Sequence, residues 1–299
     1  MGCNIPNEEN NCKFALTEQS ELAGQLLEGV CTADYISILD KNTVKVTGQG
    51  IAVGDYQIIL EEYFYEKDTP SVAYLFSIVN QDGSNLSEEQ FEKLVRTHES
   101  GMLDLWNKDL DESEFVNKLI RNKDGRVTWV VVTLLSAISD EDEGTNVIEK
   151  KNLQCAYVQY KSYPIQKIFL PDYRYSGNTI EFVGEGDTNF ISVKVNSIGI
   201  CIIRNIEDIL DEYKAVIKKI PEGKSAEDYG YSAFHSISVI MNDNTEYTLY
   251  GGEQMNVMAD NITIREENSL ANYTALWNEN IDIEEIKYIM IDNVIYEIR

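Results

Sequence analysis

Alternation of apolar and polar positions dominates this chain, and it is clearest between residues 44 and 80. Three stretches follow one another there: Val44–Gly54, Asp55–Tyr65 and Val72–Asn80. Side chains alternate across a strand, so Tyr56, Ile58, Leu60 and Phe64 are expected on one face, as are Val72, Tyr74, Phe76 and Ile78. The polar segment Glu66-Lys-Asp-Thr-Pro70 predicts the turn between the last two stretches. Gly48, Gly50 and Gly54 read as turn residues, because no helix opens after them and the third glycine is one residue late for a dinucleotide loop.

Helical spacing appears in fewer places. Leu22, Leu26, Leu27 and Val30 predict a short amphipathic helix over 17–30, with Gly29 near its end, after which Tyr35–Asn42 leads into the strands. Ser87 with Gln90 predicts a capping box, and Leu86 with Phe91 a hydrophobic staple. Asp111 with Glu114, and Leu110 with Phe115, repeat the device, so a second helix is expected and the insertion spans 86–121. Asn122-Lys-Asp-Gly125 then predicts a turn into Arg126–Ile138, a strongly apolar strand containing Trp129, followed by strands at 153–160 and 165–170.

Pro171–Asn178 combines Pro, Gly and polar residues and predicts a linker. Beyond it the strand pattern restarts at 179–183, 190–195 and 198–204. Ile206, Ile209, Leu210 and Tyr213 share a helical face, and further strands follow at 235–241, 246–250 and 255–265. The chain closes on a hairpin, Lys287–Ile291 and Val294–Ile298, about Asp292-Asn293. Short strands with one apolar face need covering, so a mainly β fold of two tandem immunoglobulin-like β-sandwich domains with short helical insertions is expected. The predicted organisation is a tether and helix over 1–42, a first domain over 43–171, and a second over 179–299 with its insertion near 205–220.

Composition narrows the function classes. Among 299 residues, 51 acidic against 25 basic give a net charge of −26, which repels nucleic-acid phosphates and anionic headgroups. The longest apolar run, 127–138, is too short for the roughly 20 residues that span a bilayer. Met1-Gly-Cys3 followed by a polar stretch resembles the start of a bacterial lipoprotein, with Cys3 as lipid attachment point; an ordinary Cys in a frayed terminus is the alternative. The membrane would then be met only through that anchor, and an extracytoplasmic, membrane-anchored or cell-surface location follows. Cys12 and Cys31 flank the first predicted helix and could bridge in an oxidising compartment, whereas Cys155 and Cys201 lie in apolar runs and read as small buried hydrophobes.

No stretch demands a chemistry, a metal or a cofactor. Gly230-Tyr-Ser-Ala-Phe234 lacks the closing glycine of a nucleophile elbow, and His98 ends a helix where its charge suits the dipole. Asp140–Glu143 lacks the spacing of a calcium loop and reads as a solvated turn. Tyrosines cluster instead: Tyr63, Tyr65, Tyr157, Tyr160, Tyr163, Tyr173 and Tyr175 lie at strand ends and the linker. Exposed aromatics there, Tyr173 and Tyr175 above all, are candidate ligand-binding residues, with core packing as the alternative use.

A family likeness rests on particular segments. Thr43–Tyr63, then Ile191–Ile200, Ser238–Leu249 and Ile283–Ile298, resemble the DUF4179-like extracytoplasmic domain and the second immunoglobulin-like module that follows it in anti-sigma-factor-like and lipoprotein-like surface proteins of Firmicutes. The resemblance implies a non-enzymatic sensing or ligand-binding ectodomain of a Gram-positive surface protein, linked to envelope signalling. It carries no catalytic residues. The expected partner is a protein or a cell-wall glycan, and a carbohydrate-binding or adhesion module is the alternative.

Overall fold

The computed structural model describes residues 31–106, 112–136, 155–184, 190–220, 232–266 and 268–298. The fold is mainly β, with antiparallel strands in three sheets. The chain divides into two compact units: one falls within Met1–Lys67, Ser71–Leu134 and Lys151–Tyr175, the other within Asp68–Pro70, Leu135–Lys150 and Ser176–Arg299.

In the first unit, helix α1 (Ala33–Asn42) opens the described chain. Thr32 caps it by accepting from Tyr35 N at 3.2 Å, and Tyr35 and Leu39, four apart, form its buried stripe. The expectation that 35–42 is a mere lead-in is thereby corrected. Isoleucines 36 and 38 masked the helical period, while the cap and the 35/39 pair define it. Strands β1 (Val44–Lys45), β2 (Gly50–Val53), β3 (Tyr56–Glu66) and β4 (Ser71–Asn80) follow, and Gly54, at φ +60°, turns the chain between β2 and β3.

β3 contains a bulge: Leu60 pairs with Phe76 but Glu62 with Leu75. The extra residue flips the register, so Tyr63 and Tyr65 join the face of Tyr56, Ile58 and Leu60. Phe64, expected on that face, lies on the opposite one. There its ring meets Tyr35 of α1 edge-on at 6.4 Å and Tyr175 at 5.6 Å.

Helix α2 (Glu88–Glu99) starts as the sequence predicts. Ser87 Oγ accepts from Gln90 N at 3.2 Å, and Gln90 Oε1 accepts from Ser87 N at 2.8 Å. The second helix of the expected insertion does not form. After β5 (Leu103–Trp106), residues Glu112–Arg121 are strand β6; the Asp111 cap lies outside the described residues. The turn at Asn122–Gly125, with Gly125 at φ +85°, folds β6 back along β7 (Val127–Leu135), and every residue of β7 is buried. Val116 and Ile120 are buried in either conformation, so periodicity alone could not decide. The tertiary demand of β7 for a neighbour did.

β1, β3, β4, β7 and β6 form one sheet, with β2 on β3. β5, β8 (Cys155–Tyr160) and β9 (Gln166–Phe169) form a second, three-stranded sheet.

In the second unit, nine strands make a single antiparallel sheet in the order β14-β13-β17-β18-β10-β11-β12-β16-β15. They are β10 (Ile180–Gly184), β11 (Phe190–Asn196), β12 (Gly199–Asn205), β13 (Ile237–Met241), β14 (Glu246–Tyr250), β15 (Val257–Arg265), β16 (Leu270–Trp277), β17 (Ile286–Ile291) and β18 (Val294–Ile298), with helix α3 (Leu210–Ile217) between β12 and β13. The sheet curls until its ends meet. Tyr273 of β16 donates its hydroxyl proton to Leu249 O of β14 at 2.9 Å, and its ring lies 5.8 Å from that of Tyr250. Strand β16 has no counterpart in the sequence reading: its Ala271, Asn272 and Ala275 are weak strand formers, yet all eight of its residues are buried. Phe182, Ile202, Phe234, Tyr273, Trp277, Ile289 and Tyr296 fill the enclosed core. Each large apolar side chain so enclosed contributes about 1.5–3 kcal/mol.

Candidate functional site

The three-stranded sheet of the first unit offers the most distinctive surface. Its inward side is closed: Leu103 and Leu105 of β5, Ala156, Val158 and Tyr160 of β8, and Ile168 of β9 are all buried. Tyr160 meets Tyr56 edge-on at 5.7 Å, and burial pushes the Tyr56 phenol up to about 12.

Strand alternation then dictates the outward side. Asp104 and Trp106 of β5, Cys155, Tyr157 and Gln159 of β8, and Lys167 and Phe169 of β9 share it. The register sets Asp104 beside Gln159, Trp106 beside Tyr157, Tyr157 beside Lys167, and Cys155 beside Phe169.

The rings are held by their neighbours. Trp106 and Tyr157 lie near-parallel, 21° apart with centroids separated by 6.1 Å, and Lys167 Nζ sits 4.9 Å over the Phe169 ring. Phe169 is 57% exposed. The turn leading from β8 to β9 adds exposed Tyr163 and Ile165, and Met102 is exposed beside it, where its carbonyl accepts from Lys161 N. Met102, Tyr163, Ile165 and Phe169 are the exposed large hydrophobic residues of this unit among the described residues, and all four belong to this small sheet or its flanks. Aromatic faces interleaved with amide, ammonium and carboxylate groups can stack on a flat ligand and hydrogen-bond its edges.

The tyrosines singled out in the sequence fall elsewhere. Tyr173 is half-buried and donates to Asn42 O, and Tyr175 is half-buried with its ring on Phe64. The Tyr175 backbone bonds Tyr65 O and receives Lys67 N–H, so the segment is tied to β3. Tyr63 and Tyr65 are buried, Tyr157 belongs to the outward surface just described, and exposed Tyr163 stacks at 5.9 Å on Tyr160 at the other side of the sheet. Trp106, Lys167 and Phe169 were missed. The signal that could have found them is the two-residue alternation of Leu103-Asp-Leu-Trp106 and Gln166-Lys-Ile-Phe169, in which one face is aliphatic and the other ringed. Cys3 and Cys12 lie outside the described residues, and Cys31 is a free, buried thiol that burial pushes up to about 12.

The groups best suited to chemistry are occupied structurally. Ser232 Oγ accepts from Tyr250 OH at 3.0 Å and from Phe234 N at 3.2 Å. His235 reaches Asp292 only through its backbone N–H. Asp292 is paired with Arg204 at 2.9 Å and also accepts from Ser236 N, locking the 232–236 segment to the β17–β18 turn. His98 Nε2 lies 2.6 Å from Asn117 Oδ1, which also accepts from Trp129 Nε1 at 2.8 Å. Among the described residues no group of three or more His, Cys, Asp or Glu is placed to hold a metal ion, and no helix is long and apolar enough to cross a membrane.

No protein-family model and no curated protein matches the chain. A solved structure described as the conserved domain protein from Bacillus anthracis is similar over 83% of this chain and 76% of that one, at 8% identity and a TM-score of 0.36. A likeness of that degree carries no argument.

Proposed function

We propose that this protein is a non-enzymatic ligand-binding module that takes its ligand on the outward face of the β5–β8–β9 sheet. The observation that carries the reading is the near-parallel Trp106–Tyr157 pair, flanked by Phe169 and Lys167, on a sheet whose other side is buried. A sheet holds its side chains rigidly, so little conformational entropy is lost when a ligand docks. The structural employment of Ser232, Asp292 and His98 supports binding over catalysis. The resemblance to DUF4179-like ectodomains supports an extracytoplasmic setting, with an envelope protein or a wall glycan as partner.

Trp129 and Trp277 are buried and Trp106 is half-buried, so quenching of tryptophan fluorescence by acrylamide reports chiefly on Trp106. Isolated envelope material should protect the wild type from quenching and retain it in sedimentation; Tyr157→Ala, which keeps the Trp106 reporter, should weaken both effects, and Trp106→Ala/Tyr157→Ala should lose retention. Equal retention of the double variant would overturn the proposal.

A further inference from the structure

We infer that the ligand of this face is a neutral polysaccharide chain, an inference that rests on the binding role proposed above and names its substrate class. Charge carries the first part of the argument. The chain as a whole bears −26, a field that expels polyanions such as nucleic acids and discourages docking on an anionic bilayer. The face departs from that balance: its own charged side chains are Lys167 and Asp104, one of each sign, with Glu114 as a neighbouring carboxylate close enough to Asp104 to feel its charge. Local near-neutrality removes the attraction that a polycation would need, and a neutral chain is the occupant that suits both the face and the field around it.

The arrangement of groups carries the second part. Cores of protein–protein interfaces are depleted of charged residues, yet here polar groups are interleaved with rings in successive cross-strand rows: Asp104 with Gln159, then Trp106 and Tyr157 with Lys167. A sugar ring presents apolar C–H faces and a hydroxyl-bearing edge. The faces stack on Trp106 and Tyr157, while the hydroxyls reach the Gln159 amide, the Asp104 carboxylate and the Lys167 ammonium. Strands rise about 3.3 Å per residue, so Leu103 to Trp106 covers roughly 10 Å along β5. That length takes a run of sugar rings in preference to one monosaccharide.

The test is a depletion assay of the full chain against insoluble neutral polysaccharides (chitin, cellulose and a β-1,3-glucan), with polygalacturonate as the acidic polymer and phosphatidylglycerol vesicles as the bilayer. The expected result is binding to at least one neutral polymer, with a loss of about tenfold or more for Trp106→Ala, the size of one ring contact, and little change for Trp106→Phe. Phe169→Ala, at a side chain too exposed to be needed for folding, should also weaken retention. Failure to bind any neutral polymer overturns the inference, as does a preference for polygalacturonate or vesicles. If the wild type instead holds a wall protein in a Trp106-dependent way, the glycan assignment falls while the binding role of the face stands. If binding to a neutral polymer survives in Trp106→Ala, Tyr157→Ala and Phe169→Ala alike, the face itself falls.

Discussion

The two units spend similar strands in different ways. The second gathers all nine into one sheet that curls until β14 and β15–β16 meet, and it uses its polar side chains as locks: Tyr273 on Leu249 O, Trp277 Nε1 on Asn196 O, and Arg204 on Asp292. The first divides its strands between a large sheet and a small one. A three-stranded sheet has too little area to wrap a core of its own, so it buries one face and leaves the other to solvent. That free face is where the rings collect. A curled sheet hides its alternation inside, while a small flat one displays half of it.

Several substitutions would break or sharpen this contrast. The largest effect is expected for Trp277→Ala in the curled sheet, which should lose about 3–5 kcal/mol because a fully enclosed ring leaves a cavity and Asn196 O loses its donor. Urea denaturation measures it, and a loss under 1 kcal/mol would mean that the closure is not what holds that unit. Arg204→Ala comes next, at about 3 kcal/mol, since it leaves the Asp292 carboxylate sequestered without its cation; a double-mutant cycle with Asp292→Asn, which keeps an acceptor for His235 N and Ser236 N, should show a coupling of about 1 kcal/mol or more.

In the first unit, Asn117→Leu should cost about 1–3 kcal/mol by removing the acceptor shared by Trp129 Nε1 and His98, read by thermal unfolding. Asp260 of β15 gives a smaller, pH-dependent effect. Burial raises its carboxyl above the ordinary value of 3.8, so the folded state holds the proton more tightly than the unfolded chain. Stability is therefore unaffected below the unfolded value and declines as pH rises through the folded one. Asp260→Asn should abolish that decline, by less than about 1 kcal/mol given solvent screening, in denaturation series between pH 3 and 7. The smallest effect is expected on the free face: Phe169→Ser should leave stability within about 0.5 kcal/mol. A large loss there would show that the face is core, and would remove it as a binding surface.

Much of this was legible in the residues. The capping box at Ser87 and Gln90, the hairpin about Asp292-Asn293 and the predominantly apolar β7 carry local signals strong enough to stand without tertiary help. Three features were not legible, for identifiable reasons. The bulge after Leu60 inserts one residue without any Gly or Pro to announce it, and so moved Phe64 to the other face. β6 has apolar residues at 116 and 120, a spacing that serves a helix and a strand equally. β16 interrupts its large residues with Ala271, Asn272, Thr274 and Ala275, which blurs the alternation, and their burial comes from flanking β12 and β15. The candidate site was half legible: abundance of tyrosine pointed to aromatic chemistry, but Tyr173 and Tyr175 are held by Asn42 and Phe64, and the exposed rings are Tyr163 and Phe169.

By itself the sequence determined that this chain is mainly β, where most strands turn, and that its acidic charge disfavours polyanionic partners, because alternation, turn residues and net charge are local or additive properties. Only the tertiary structure decided which strands share a sheet, where register slips, and which rings end up in solvent. Those outcomes depend on pairings between residues far apart in the chain, and near-equivalent local patterns are separated only by the burial that each pairing achieves.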